Sequence, residues 1–306
     1  MWYGYALVGP AIWALLNHLD KYLLARFFKE GATASVLVVF TGFAGFLVAT
    51  AIVLFGASVR MPAPWQAGLV MGAGALLVSS CIPYMIAMRR NEASIVASLY
   101  RLTPLFVFAL SYVVLGEGLH PRQVVGGLVT IAGSISLIVD LDKKRRYKLD
   151  MCTFLLMCAA CLMNACSVVI FKSVALGASF WNSAFWEYIG AGLFSAALSC
   201  GVPAFRRSLV LLWRSRRAYV LVPVTISGEL FNLLANLSVG FAGLMAPLAL
   251  VSIVTGLHPL FLLAYGIVFT MFFPTFSRER LTRHRLLQKI GAIGVMCAGI
   301  VVTFTD

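Results

Sequence analysis

Long apolar runs separated by short polar connections fill almost the whole sequence. A membrane-spanning helix needs about 20 apolar residues. Small residues such as glycine recur within the runs, which is typical of helices that pack closely in lipid. The pattern predicts an all-α integral membrane protein. Its ten transmembrane helices have predicted bounds of 3–26, 33–56, 66–88, 93–115, 121–140, 151–174, 180–201, 218–240, 244–272 and 287–304.

Part of this pattern occurs twice. From Pro104 the chain reads PLFVFALSYVVLGE, and from Pro259 it reads PLFLLAYGIVF. The corresponding pairs are Pro104 with Pro259, Glu117 with Glu279 and Lys21 with Lys172. Because each half holds five predicted helices, the second half enters the membrane in the opposite orientation. We therefore expect two inverted five-helix repeats, residues 1–142 and 143–306, with a binding site between them near the middle of the bilayer.

Composition excludes a soluble protein. Hydrophobic residues make up 61% of the chain and charged residues only 11%, whereas a soluble domain carries about 25% charged residues. The seven cysteines lie in or beside apolar runs, where small packing residues are expected. No metal site and no cofactor are predicted.

The net charge of +13 lies mostly in the short connections after the first, third, fifth, seventh and ninth predicted helices. Basic connections of this kind face the cytoplasm, so both termini are predicted to lie outside. This distribution sets orientation in a membrane and argues against nucleic-acid binding. The plasma membrane, as a bacterial inner membrane, is the expected location. One basic segment, 206–217, has apolar residues between its arginines. It either lies along the inner leaflet or is an ordinary basic connection.

Ionisable side chains inside a bilayer are costly, so each is a candidate functional group. Glu229, Asn232 and Asn236 have the spacing i, i+3, i+7, which places them on one helix face. A carboxyl near the middle of this segment is suited to bind and release a proton. Alternatively, Glu229 is paired permanently with a cation.

Arg101 lies deep within its predicted helix, next to Tyr100. Arginine keeps its charge at physiological pH and binds carboxylate or phosphate through two parallel hydrogen bonds. Arg101 either binds an anionic group of a substrate, with Tyr100 nearby, or forms an ion pair with Glu229 or Glu187.

His258 and Asn17 complete the predicted substrate-binding residues. His258 is a second candidate for proton exchange, or is simply hydrogen-bonded to a neighbour. Pro259, which follows it, frees a backbone carbonyl and bends the helix. Asn17 shares a helix face with Asp20 and Lys21. These two and Lys172 are predicted to have gating or structural roles at opposite mouths of the protein.

The run from Pro104 to Glu117, the following Gly126 and Gly133, and Trp13 and Lys21 in the first segment together resemble the EamA family of the drug/metabolite transporter (DMT) superfamily. The resemblance implies two repeats of five helices. It also implies structural roles for Pro104, Pro259, Glu117 and Glu279, the glutamates tying the fourth helix of each repeat to the fifth. Superfamily substrates range from amino acids and nucleosides to sugars and toxic cations. Many members have cytoplasmic termini, the reverse of what the charges here predict.

We therefore expect a secondary transporter, not an enzyme, because no nucleotide-binding loop, HExxH pattern or nucleophile–histidine–acid set is present in the sequence. Its expected substrate is a small polar metabolite that is carboxylate-bearing or zwitterionic. It would move by alternating access, with proton coupling through Glu229 or His258. Two alternatives stay open: a flippase for a lipid-linked sugar or phosphate, and a non-transporting scaffold or sensor. Expected partners are the substrate, membrane lipids and protons, in a monomer or homodimer.

Overall fold

The computed structural model describes residues 1–27, 33–90, 96, 99–138, 150–214, 218–272 and 283–304. All elements within these ranges are helices. They are α1 (Trp2–Phe27), α2 (Thr33–Leu54), α3 (Pro64–Arg90), α4 (Thr103–Leu115), α5 (Pro121–Ile138), α6 (Met151–Ala175), α7 (Phe180–Gly201), α8 (Pro203–Arg214), α9 (Ala218–Met245), α10 (Leu248–Thr255), α11 (His258–Phe272) and α12 (Arg283–Phe304).

Several of these helices have the length and apolarity of membrane spans. In the described part of the chain, four stretches are long and apolar enough to cross a bilayer: Pro64–Met88, Met151–Ala175, Val222–Met245 and Leu248–Phe272. Shorter apolar helices are Val38–Leu54, Thr103–Leu115 and Ile290–Phe304. The protein is thus an all-helical integral membrane protein, as its sequence predicts. The number of ten spans stays a prediction.

Two predicted helices, 93–115 and 244–272, are interrupted rather than continuous. The chain turns at Arg101 and Leu102 before α4 begins, and Gly256 and Leu257 separate α10 from α11. In each case a proline occupies the second position of the helix after the break, Pro104 and Pro259 respectively. Proline has no N–H to donate, and its ring collides with the carbonyl four residues earlier. The two breaks are therefore local consequences of two prolines at corresponding positions.

Side chains satisfy backbone carbonyls that are exposed at these breaks. The Thr103 hydroxyl donates to the carbonyl of Tyr100 at 2.7 Å, and the Cys161 thiol approaches the same oxygen at 3.9 Å. At the other break, the Ser134 hydroxyl donates to the carbonyl of Gly256 at 3.0 Å. Such substitute partners allow interrupted helices to persist inside a bilayer.

Glycine allows α5 and α12 to meet at backbone contact. A Cβ added to Gly126 would lie 2.5 Å from the carbonyl oxygen of Gly299, and one added to Gly299 would lie 2.7 Å from that of Gly126. Further along, Gly133 faces Ala292 and Met296. Because rising numbers in α5 meet falling numbers in α12, these helices run antiparallel.

The first helix lies next to the second break. It packs against α9 and against both half-helices α10 and α11. Ser238 of α9 donates to the carbonyl of Tyr5 at 3.0 Å, which fixes the register between α1 and α9. The middle of α1 therefore runs beside the second break.

The basic segment 206–217 is largely occupied by a separate helix, α8, which one residue separates from α7. Phe205 packs against a cluster containing Val38, Val78 and Ala191. Arg206 and Arg207 are exposed. An apolar anchor and an exposed basic face agree with the expected position along the inner leaflet, which stays a prediction.

Candidate functional site

The two helix breaks meet through a pair of side chains. Arg101 lies in the first break and His258 begins the helix after the second. Nη2 of Arg101 is 2.9 Å from Nδ1 of His258. His258 is buried, with 4% of its surface exposed. Its other ring nitrogen, Nε2, lies 3.0 Å from the side-chain amide of Asn17. Three predicted substrate-binding residues from α1 and the two breaks are therefore in contact.

The hydrogen bonds in this cluster fix the form of the imidazole. Arginine can only donate, so Nδ1 of His258 must accept from Arg101. A neutral imidazole then carries its proton on Nε2, with Asn17 and the backbone carbonyl of Trp13 as its acceptors. The amide of Asn17 accordingly presents its oxygen to the ring, because the oxygen and nitrogen of an amide are assigned from such networks. A second proton on His258 would place two cations face to face.

Arg101 does not form either of the ion pairs that its sequence position allowed. Within the described ranges its hydrogen-bond partner is His258, not Glu229 or Glu187. Its Nε atom is buried and has no hydrogen-bond partner. The guanidinium is thus held in position by a neutral acceptor and retains an unused donor.

A second group of side chains links α1 to α9. The indole N–H of Trp13 donates to the amide oxygen of Asn232 at 3.0 Å. The amide nitrogen of Asn232 donates to Oε2 of Glu229 at 3.3 Å. Asn236 lies on the same helix, partly buried, and makes no hydrogen bond within the described part of the chain. Trp13 and Asn17 are one turn apart on α1, so this helix joins the acidic group to the cationic one.

Side chains of α3 lie near both the Arg101 group and the Glu229 group. Cys81 is within electrostatic range of both Glu229 and Tyr100. The rings of Tyr84 and Tyr100 meet edge to face with centroids 5.5 Å apart. Tyr100, predicted from its position beside Arg101, thus belongs to a wall contributed by α3 and the first break.

Glu117 and Lys172 form an ion pair that connects the two halves of the chain. The other carboxylate oxygen of Glu117 accepts from the backbone N–H of Leu248, the first residue of α10, at 2.9 Å. Lys172 also donates to the carbonyl of Ala246 at 2.8 Å. Glu117 was expected to tie the fourth helix to the fifth. Instead it joins α4 to α6 and α10, because a helix N-terminus offers free N–H donors to a carboxylate.

Some predicted residues cannot be placed. The side chains of Asp20 and Lys21, and the whole of Glu279, lie outside the described residues. The part of the chain that is described contains no group of three or more His, Cys, Asp or Glu able to hold a metal ion.

Sequence reasoning missed several residues of the site. Trp13 was noted only for its family resemblance, although its spacing of four residues from Asn17 signals a shared helix face. Cys81 and Tyr84 gave no comparable signal. They belong to the site because α3 packs beside α6 and α7, a fact of tertiary structure.

Comparison with known proteins identifies the class. Residues 1–139 match the EamA-like transporter family. This match covers the first 139 residues and agrees with the resemblance seen in the sequence. Members are membrane transporters of the drug/metabolite type rather than enzymes.

A solved structure titled "Crystal structure of protein" resembles the whole chain. The TM-score is 0.63 at 16% sequence identity, with 98% of each chain covered. At this identity the likeness establishes a shared fold and carries no information on function. No curated protein sequence matches this chain.

Proposed function

We propose that the protein is a secondary transporter of a small polar metabolite that bears a carboxylate or is zwitterionic. One observation carries the proposal. Arg101 is fixed between two helix breaks by a neutral histidine, without a carboxylate partner among the described residues and with a buried donor unused. A cation so placed inside a membrane protein requires an anion, which a substrate would supply.

The surroundings of Arg101 favour an anionic group. The helices α4 and α11 both begin beside it, and the N-terminal end of a helix carries partial positive charge. Half-helices that start inside the membrane hold substrate carboxylates in other transporter folds. We assign the anionic end of the substrate to Arg101, with Asn17 and Tyr100 beside it.

The acidic group would receive the other end of a zwitterion. Glu229 accepts a hydrogen bond from Asn232, and Cys81 of α3 is within electrostatic range of both Glu229 and Tyr100. A substrate with an ammonium group would pair with Glu229. Glu229 would do so as a carboxylate, which the donor group of Asn232 stabilises. His258 is given the role of orienting Arg101 as a neutral acceptor, which fits its contacts better than proton exchange does.

Alternating access would follow from two inverted repeats moving about this site. Antiparallel contact of α5 and α12, the last helices of the proposed repeats, supports such an inversion. The ion pair of Glu117 and Lys172 would close the end of the molecule that its charges place outside. Lys21 and Glu279 are the sequence counterparts at the other end, and we propose that they close it in the opposite state.

A binding screen tests the proposed site. Purified protein would be heated with amino acids, dicarboxylates, nucleosides and organic phosphates, since a ligand that binds the folded state raises Tm. We expect a carboxylate-bearing compound to stabilise the wild type and an Arg122→Ala variant, which removes an exposed arginine of α5. Arg101→Ala should lose that stabilisation. Equal stabilisation of all three proteins would refute the assignment to Arg101.

A further inference from the structure

Glu187 is an acidic residue of α7 that the proposed site does not use. It lies seven residues after the first residue of α7, about 10 Å along the axis. The side chain is partly buried. Its backbone is fixed, because the Glu187 carbonyl packs directly against Gly74 of α3.

The neighbours of Glu187 have partners of their own. The indole N–H of Trp186 donates to the carbonyl of Arg60 at 3.1 Å. The hydroxyl of Tyr188 donates to the carbonyl of Leu233 at 3.3 Å. Glu187 itself makes no hydrogen bond and no ion pair within the residues that the structure describes. It is therefore a carboxyl without a partner between two neighbours that each have one.

Among the described side chains, the helices around α7 offer no cation to Glu187. Helix α2 carries no titratable side chain. On α3, Cys81 interacts electrostatically with Glu229 and Tyr100, and Tyr84 with Tyr100. Arg90 donates to the sulfur of Cys152, and the side chain of Arg89 lies outside the described part of the chain. On α6, Lys172 is paired with Glu117. The remaining titratable groups of the packed helices are Cys158, Cys161 and Cys166 of α6, Arg206, Arg207 and Arg214 of α8, and Tyr219 and Glu229 of α9.

Two further groups lie close to Glu187 along the chain or through its neighbours. Arg60 is linked to α7 only through its backbone, and its side chain is exposed. Tyr188 is the titratable neighbour that acts electrostatically with Glu187. Neither supplies a counter-ion.

A second polar group without a partner lies one helical turn away. The Ser183 hydroxyl is buried, with 2% of the residue exposed, and has no hydrogen-bond partner. Ser183 and Glu187 are spaced i, i+4, so they are neighbours on one helix face. Together they form a small polar patch on one face of α7.

An unpaired carboxylate in such a place is far costlier than a neutral carboxyl, because nothing compensates its lost hydration. We propose that Glu187 is a proton-binding site: it carries a proton in this conformation and gives it to water when the conformation changes. In the reverse step water returns a proton to the carboxylate oxygen. The Ser183 hydroxyl then donates a hydrogen bond to the ionised form. Glu229 differs, since Asn232 already donates to it.

If the proposed function is right, proton binding and release at Glu187 would drive transport, and this role rests on the proposed function. The protonation of Glu187 does not depend on the proposed function. The test is therefore made without a substrate, by infrared spectroscopy of the protein in lipid nanodiscs across a pH titration.

At neutral pH the wild type should show the C=O stretching band of a protonated carboxyl, with the downshift expected in D₂O. Glu187→Gln should lose this band, whereas Glu229→Gln should keep it. Glu187→Asp, which retains a carboxyl, should restore it and guards against a folding defect in the glutamine variant. Ser183→Ala should raise the pH at which the band disappears, because the ionised form loses its donor.

Several outcomes would overturn the proposal. They are absence of the band from the wild type at neutral pH, its persistence in a folded Glu187→Gln protein, and its loss in Glu229→Gln alone. A titration unchanged by Ser183→Ala would remove Ser183 from the site. A confirmed band with no transport of any compound would refute the proposed function and leave the proton site standing.

Discussion

At the scale of single residues, the central feature is a guanidinium whose partner is neutral. Arginine inside a bilayer is usually paired with a carboxylate or with backbone carbonyls. Here Arg101 donates to His258, and His258 is in turn oriented by Asn17. The histidine therefore positions the cation while leaving its charge available to a ligand.

Substitutions of His258 should separate hydrogen-bond acceptance from titration. Glutamine keeps a carbonyl oxygen that can accept from Arg101, whereas leucine leaves the buried donor unsatisfied at a cost of about 1–3 kcal/mol. We expect His258→Leu to lower Tm and ligand binding clearly, and His258→Gln to retain most of both. Thermal unfolding with the identified ligand checks this. Equal losses in the two variants would show that accepting a hydrogen bond is not what His258 contributes.

The residues of the candidate site, and the contacts between them, could be predicted from the sequence only in part. Arg101, Glu229 and Asn232 were found because polar groups in apolar segments signal function without any structural information. The pairing of Arg101 with His258 could not be found, because the two residues are 157 positions apart and no local pattern connects them. The same holds for Trp13 with Asn232, 219 positions apart.

At the scale of elements, helix breaks and glycine contacts organise the bundle. Hydropathy predicts continuous spans through 93–115 and 244–272, because one arginine or glycine among apolar residues does not interrupt an apolar run. The prolines were visible in the sequence. What could not be read from it is that each break is stabilised by hydroxyl or thiol groups of neighbouring residues and helices.

The contact of α5 with α12 predicts contrasting effects of two alanine substitutions. Gly126→Ala places a Cβ against the backbone of Gly299 and should destabilise the protein by about 1–3 kcal/mol through overpacking. Gly291→Ala, in α12, meets nothing within 4 Å and should be neutral or slightly stabilising. Thermal unfolding of both variants in one detergent compares them. A Gly126→Ala protein as stable as the wild type would contradict the close backbone contact.

The pair of Glu117 and Lys172 predicts strong coupling between two substitutions. Lys172→Met alone leaves the Glu117 carboxylate without its cation and should cost about 3–5 kcal/mol. Adding Glu117→Gln should recover much of that loss. A double-mutant cycle of unfolding measurements gives the coupling energy. Additive effects of the two substitutions would mean that the pair does not join α4 to α6 and α10 in the protein.

At the scale of the whole molecule, the sequence predicts the class of protein well. It predicts the second repeat and the orientation in the membrane less well. Apolar length alone predicts a helical membrane protein, and residues 1–139 match the EamA-like transporter family, in agreement with the resemblance in the sequence. The repeat in residues 143–306 stays a prediction, since its copy of the motif carries additional residues between Pro259 and Glu279. Which side each end faces depends on loop charges, which act during membrane insertion.

The charge distribution predicts that both termini lie outside. Basic connections after the odd-numbered predicted spans should be retained in the cytoplasm. Reporter proteins fused after residue 306 show on which side of the membrane the C-terminus lies. Alkaline phosphatase, active only outside, should be active, and green fluorescent protein, which is fluorescent inside, should be dark. The opposite pair of signals would place the C-terminus in the cytoplasm and reverse the proposed assignment of the Glu117–Lys172 end.

The most direct test of the central claim is uptake by proteoliposomes containing the purified protein. Amino acids, organic acids, nucleosides and organic phosphates would be compared, with and without a proton gradient. The account predicts saturable uptake of a carboxylate-bearing or zwitterionic compound that Arg101→Ala abolishes and Arg122→Ala preserves. Glu229→Gln should weaken uptake of a zwitterion in particular. Uptake that Arg101→Ala leaves unchanged, or no uptake of any water-soluble compound by active preparations, would contradict it.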